Sequence, residues 1–243
     1  MALSGLRPGW GPMVVSCRAP LGVGVDEPGL DLAGVLASRL VSVLEADGVE
    51  VDGGDDLPLP LAVCAGGEVG WHWAASCVVL DPVWDGVVGH RRRGRVMDVS
   101  WIGRAARRPW PVMQAARTAY RDRVTPHEVR GWGVLSWRAV GDAVRVGELL
   151  GPVVALGKCR GTGEGMVDGW RVERVCGVED WARWVHVDEG GRLLRPVPAE
   201  CAGAWCDSGA WEMGVWGLRP PQVRHVVELA TAVREIDGGD DPW

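Results

Sequence analysis

Residues 153–170 read VVALGKCRGTGEGMVDGW: an apolar run, a glycine-dense basic loop, then a strand-like alternation. This succession constrains the fold more than any other stretch, because a helix that leaves through repeated glycines and returns as a strand must reverse there. Gly157, Gly161, Gly163 and Gly165 surround Lys158, the single lysine of the chain, and Arg160. Glycine admits positive φ and close backbone approach, and exposed N–H groups beside two cations suit a phosphate chain. A glycine-rich turn with no ligand is the alternative, since short glycine motifs are weak signals.

Two familiar phosphate loops do not fit. A Walker loop needs Ser or Thr after its Gly-Lys pair, but Cys159 follows Lys158, and Gly151 lies one residue too far ahead of Gly157. The dinucleotide fingerprint needs a helix after its glycines, whereas residues 166–175 alternate, with Val167, Val172 and Val175 among polar neighbours. That period is a strand's.

With 243 residues, 47% hydrophobic and 24% charged, the chain has room for one large domain or two small ones. No apolar run approaches the ~20 residues of a membrane span. The N-terminus lacks the basic region and apolar stretch of a signal peptide. A cytoplasmic protein is expected, with no membrane partner. Phe and Asn are absent while Trp occurs 15 times, so Trp must supply the aromatic core volume, often with its polar edge at the surface. Seven scattered cysteines without a secretion signal predict reduced thiols. Cys201 and Cys206 form the one close pair, at the edge of zinc-ligand spacing but without a matching second pair. Buried thiol is the alternative, and no metal or cofactor is expected.

Net charge is −6, yet between residues 89 and 130 eleven arginines face three acidic residues, a local +8. A basic segment creates a usable field even on an acidic protein, because charges beyond about 8 Å are screened at physiological salt. A solvated arginine face is the other explanation.

In chain order, residues 12–19 predict a first strand. Asp31 stands at a helix cap position, and apolar residues from Leu32 to Leu44 recur at helical spacing until Gly48. Residues 57–64 predict an extended edge segment and 69–80 a strand running into the core. Residues 90–95 predict a turn between strands, 96–101 a strand, 104–111 a loop and 112–122 a short helix. Residues 133–140 predict a strand, and 144–156 a helix that Pro152 kinks or delays. Beyond Cys176, residues 181–187 and 192–197 predict short extended pieces, and 225–234 a last helix. The expected domains are a core over 10–176, with its basic insertion around 89–130, and a C-terminal extension over 177–243 packed on the core.

The order strand, helix, strands, helix, glycine loop, strand is a split βαβ, ferredoxin-like (RRM-like) arrangement of class α+β. A helix opening on Leu30-Asp31-Leu32 and a second helix leading to the run from Leu156 to Gly165 resemble the RAMP superfamily of CRISPR RNA-binding proteins. Within it, the chain is most similar to the type IV effector subunit that caps the 5′ handle of the guide RNA. Trp71-His72-Trp73-Ala74-Ala75-Ser76 and Gly217-Leu218-Arg219-Pro220-Pro221 fit the same subgroup. The resemblance implies a RAMP fold with an inserted basic hairpin, or thumb, and an irregular Trp- and Gly-rich C-terminal extension. It implies an RNA-grasping scaffold of antiviral defence rather than a catalyst.

On this resemblance Gly157, Lys158, Arg160, Gly161 and Gly163 lie against the guide RNA backbone. The thumb corresponds to residues 90–108, with His90, Arg91, Arg92, Arg93, Arg95, Arg104, Arg107 and Arg108 as RNA contacts. Arg219 either faces RNA or braces its turn. The implied partners are the guide RNA (crRNA), the repeated backbone subunit and the large subunit, with target nucleic acid reached indirectly. Arginine forks, backbone N–H groups and stacking by Trp101, Trp110 or Tyr120 would carry the binding; core packing is the other use of each Trp. Two rivals stand beside this reading. One is a metal-independent endoribonuclease using His90, Tyr120, His127 and Lys158; the other is a protein-interaction module with a basic docking face. No catalytic residue is assigned on the favoured reading.

Overall fold

The computed structural model of the chain describes residues 2–24, 29–52, 56–65, 67, 70–81, 87–93, 123–130, 133–157, 164–207, 209–220 and 225–233. Along it run β1 (Leu3–Ser4), β2 (Gly11–Ala19), β3 (Val23–Gly24), α1 (Leu32–Ala46), β4 (Val63–Ala65), β5 (Trp71–Trp73), β6 (Val79–Asp81), β7 (Val87–Arg93) and β8 (Arg123–Arg130). There follow β9 (Gly133–Gly141), α2 (Ala143–Leu150), β10 (Asp168–Arg174), α3 (Trp181–His186), α4 (Ala199–Trp205), β11 (Trp211–Gly217) and β12 (Val226–Ala232). They divide into two units, Gly86–Val129 and the remainder.

In the larger unit the main sheet has the order β10-β2-β9-β6, every neighbour antiparallel. With α1 after β2 and α2 after β9, the connectivity is βαββαβ and the spatial order is fourth, first, third, second. This mixed α+β arrangement is compatible with a ferredoxin-like fold. Alternation explains the strands: Met13, Val15, Cys17 and Ala19 on β2 and Leu135, Trp137 and Ala139 on β9 are buried in one core with Leu32, Val35 and Leu36 of α1 and Val146 and Leu150 of α2. Trp137 is fully buried and donates its indole N–H to the Leu30 carbonyl at 2.8 Å. Burying a ring of that size is worth about 4–6 kcal/mol before entropy.

The helix ends obey their local chemistry. The Asp31 side chain accepts from the Ala33 N–H at the start of α1, and Gly48, at φ +78, follows its last turn. Asp142 caps α2 by accepting from Val144 and Arg145. α2 stops at Leu150, ahead of Pro152, so the expected continuation to residue 156 is not made. Proline lacks the donor that another turn requires.

In place of the expected irregular extension, the described residues of the C-terminal segment form regular elements. Residues 181–186, expected to be extended, form α3, whose first turn Asp180 caps through the Arg183 N–H. Residues 226–232, expected to be helical, form β12, paired antiparallel with β11 in register Trp211↔Ala232 to Gly217↔Val226. Around these elements a second cluster buries Cys64, Val187, Val197, Cys201, Ala202, Trp205 and Ala230. Arg195, 4% exposed, donates to the carbonyls of Trp73, Ala75, Leu218 and Pro196 and lies 3.6 Å from the Asp31 carboxylate.

In the smaller unit β7 and β8 form an antiparallel ladder from Val87↔Val129 to Arg93↔Arg123. His90, Arg91, Arg92 and Arg93 therefore belong to a strand rather than to the expected turn. The elements expected over 96–101, 104–111 and 112–122 lie outside the described residues.

Candidate functional site

The glycine loop is closed at its base by backbone bonds. The Leu156 N–H donates to the Gly165 carbonyl at 2.8 Å, the Gly165 N–H to the Gly22 carbonyl at 2.7 Å, and the Val167 N–H to the Val154 carbonyl at 2.9 Å. Gly157 and Gly165 take φ of +70 and +73, and both sit where a side chain has no room. A Cβ on Gly157 would meet the Gly24 carbonyl oxygen and the Val23 side chain; on Gly165 it would meet the Leu156 carbonyl. These two glycines thus build the stem that carries the loop. Lys158, Arg160, Gly161 and Gly163 lie outside the described residues.

The other predicted contacts are distributed as follows. His90, Arg91, Arg92 and Arg93 occupy successive rungs of the β7–β8 ladder, and Arg93 stands directly opposite Arg123. His127 is paired with Gly89, one rung from His90. Arg95, Arg104, Arg107 and Arg108, and with them Trp101, Trp110 and Tyr120, lie outside the described residues. Arg219 is engaged within the protein: its Nε donates to Asp56 at 2.8 Å, its Nη1 to the Trp71 carbonyl at 3.3 Å, and its guanidinium lies 4.3 Å from the Trp71 ring centre. Of its two expected roles, this geometry performs the bracing one.

The structure also assembles a group that sequence spacing hides. Cys64 on β4 and His72 on β5 are direct cross-strand partners, and α4 brings Cys201 against them. All three are fully buried, and their Sγ and imidazole nitrogen atoms lie within 4.8 Å of one another. Cys201 Sγ is 3.7 Å from His72 Nε2. His72 Nδ1 lies 3.3 Å from the Trp73 carbonyl; a carbonyl only accepts, so Nδ1 carries the proton and Nε2 presents its lone pair to the thiols. Cys206, which forms with Cys201 the one close cysteine pair of the sequence, is not a member of this group.

Packing fixes the rings. His186 meets His72 edge-on with centroids 4.8 Å apart and stacks on Trp205 at 4.5 Å. Trp205 follows Cys201 by one helical turn, so both share a face of α4. Burial, with His186 and Arg195 nearby, pushes the His72 pKa well below its ordinary value; burial pushes His186 down to about 3. Both imidazoles are neutral at pH 7. The hydrogen bond from Cys201 lowers the Cys64 pKa, and the same bond, with burial, raises that of Cys201.

Comparison of the sequence with known protein families and with curated proteins finds no match to either.

Proposed function

We propose that the chain is a non-catalytic RNA-binding subunit of RAMP type, which caps the 5′ handle of the guide RNA in a cytoplasmic type IV CRISPR ribonucleoprotein effector. On this reading it meets the repeated backbone subunit and the large subunit, and reaches target nucleic acid through the guide. The observation that carries the reading is connectivity. A βαββαβ sheet of order fourth, first, third, second carries a basic insertion between its second and third strands, and a glycine-closed loop between its second helix and fourth strand.

Each part has a physical role in that function. The stem built by Gly157 and Gly165 holds the loop that bears Lys158 and Arg160, whose cations and neighbouring N–H groups suit successive phosphates. The arginines of the insertion neutralise further phosphates, which makes affinity fall as salt rises. Arg219 is left out of this surface because Asp56 and Trp71 hold it.

The test is to purify the chain with its assembly and sequence the nucleic acid that comes with it. Repeat-derived RNA is expected, and Lys158→Ala combined with Arg160→Ala should reduce it while far-ultraviolet circular dichroism stays unchanged. A preparation free of RNA that also ignores added guide would overturn the reading.

A further inference from the structure

We propose that Cys64, His72 and Cys201 bind one divalent transition-metal ion, zinc by the chemistry of the donors, with the Ala65 carbonyl oxygen as fourth ligand. The metal joins the β4–β5 hairpin to α4, so its role is structural. Two sulfurs and an imidazole nitrogen are a donor set that zinc takes in tetrahedral geometry. Bond lengths of about 2.3 Å to sulfur and about 2.0–2.2 Å to nitrogen or oxygen place the corners of such a site about 3.3–3.8 Å apart. Three of its six edges are 3.7 Å from Cys201 Sγ to His72 Nε2, 3.6 Å from Cys201 Sγ to the Ala65 oxygen and 3.9 Å from Cys64 Sγ to that oxygen, and the other side-chain donor pairs lie within 4.8 Å.

Three further features suit a metal. The His72 N–H that points away from the thiols is tied to a backbone carbonyl, the outer contact that orients a ligating imidazole. The ligands come from a directly opposed strand pair and a helix, and the stacked rings of His186 and Trp205 hold them. The charges also close: two thiolates balance a dication, which three fully buried side-chain ligands require. Binding replaces two thiol protons by the metal and delivers them to the buffer. Without metal, the same residues form a weak hydrogen-bonded thiol–imidazole cluster, the competing arrangement.

Metal-free full-length protein titrated with cobalt alone distinguishes the two. The proposal expects one equivalent per chain, with thiolate-to-cobalt charge-transfer absorption and the intense visible bands of a tetrahedral ion. Zinc should then displace the cobalt, with proton release detectable in weakly buffered solution. Cys64→Ser and Cys201→Ser should each weaken binding by more than about a hundredfold, the loss typical of outer-shell changes alone. Cys176→Ser, at an exposed thiol, and Cys206→Ser should leave the bands intact. At a thousandfold excess over Kd, zinc should raise Tm by about 8–16 °C. Folded wild-type protein that gives no tetrahedral bands, or bands that survive Cys64→Ser, would overturn the proposal; the wild-type titration decides even where a variant fails to fold.

Discussion

Gly165→Ala and Gly169→Ala form a matched pair that isolates the geometry of the glycine-loop stem. Both residues have nearly the same positive φ, +73 and +74, but a Cβ on Gly169 meets nothing within 4 Å, whereas on Gly165 it runs into the Leu156 backbone. A left-handed conformation costs a non-glycine residue about 1–2 kcal/mol, partly offset by about 0.4–1 kcal/mol of unfolded-state entropy. Gly169→Ala should therefore lose about 1 kcal/mol. Gly165→Ala adds a steric displacement of about 1–3 kcal/mol and endangers two backbone hydrogen bonds worth about 0.5–1.5 kcal/mol each, for a total of about 3–7 kcal/mol. At about 2–4 °C per kcal/mol for a chain of this length, Tm should fall by about 2–4 °C in the first case and about 6–28 °C in the second. Thermal denaturation gives the totals. If the stem opens locally instead, amide exchange at Leu156, Gly165 and Val167 should accelerate in Gly165→Ala alone. Equal losses in both variants, with unchanged exchange, would refute the stem as described.

Two other perturbations probe the packing beneath the site. Arg195→Met removes the donor to four carbonyls and the partner of Asp31; breaking a buried pair this way should cost about 3–5 kcal/mol in urea titration, and a loss under about 1 kcal/mol would contradict it. Burial raises the Cys17 pKa from 9.0 to about 12, so the unfolded thiol ionises first and stability is lost as pH rises above about 9, by about 1.4 kcal/mol per unit. Cys17→Ala should flatten that alkaline limb, and an unchanged slope would count against the burial. Cys77 carries a similar shift, so part of the slope should remain.

The elements legible in the sequence are those whose local chemistry and burial agree. β2 and β9 alternate over nine residues each, and α1 has Asp31 and Gly48 at its ends as well as a buried apolar face. Where the signals diverge, pairing decides. β12 carries Val226, Leu229 and Ala230 at helical spacing, continued by Val233 just beyond it, yet β11 offers it a ladder; strand preference depends on that partner more than on the residues. The six residues of α3 are too few to set a clear period, and the Asp180 cap was the signal for a helix. The Cys64–His72–Cys201 group had no such signal. Cys64 and His72 lie near each other but at no ligand-motif spacing, Cys201 is far along the chain, and only the register Cys64↔His72 and the docking of α4 bring the three together. Arg219 could be read either way from its neighbours, because Asp56 lies far away in sequence.

The central claim, that arginines of the insertion hold guide RNA by its phosphates, is tested most directly by the salt dependence of binding. Repeat-derived RNA titrated into the chain over a salt series should give a falling log K against log salt, with about 0.7 of slope for each phosphate neutralised. Replacing Arg91, Arg92 and Arg93 by alanine should flatten the slope by about 2. RNA that fails to bind even at low salt, or a slope indifferent to those three residues, would contradict the account.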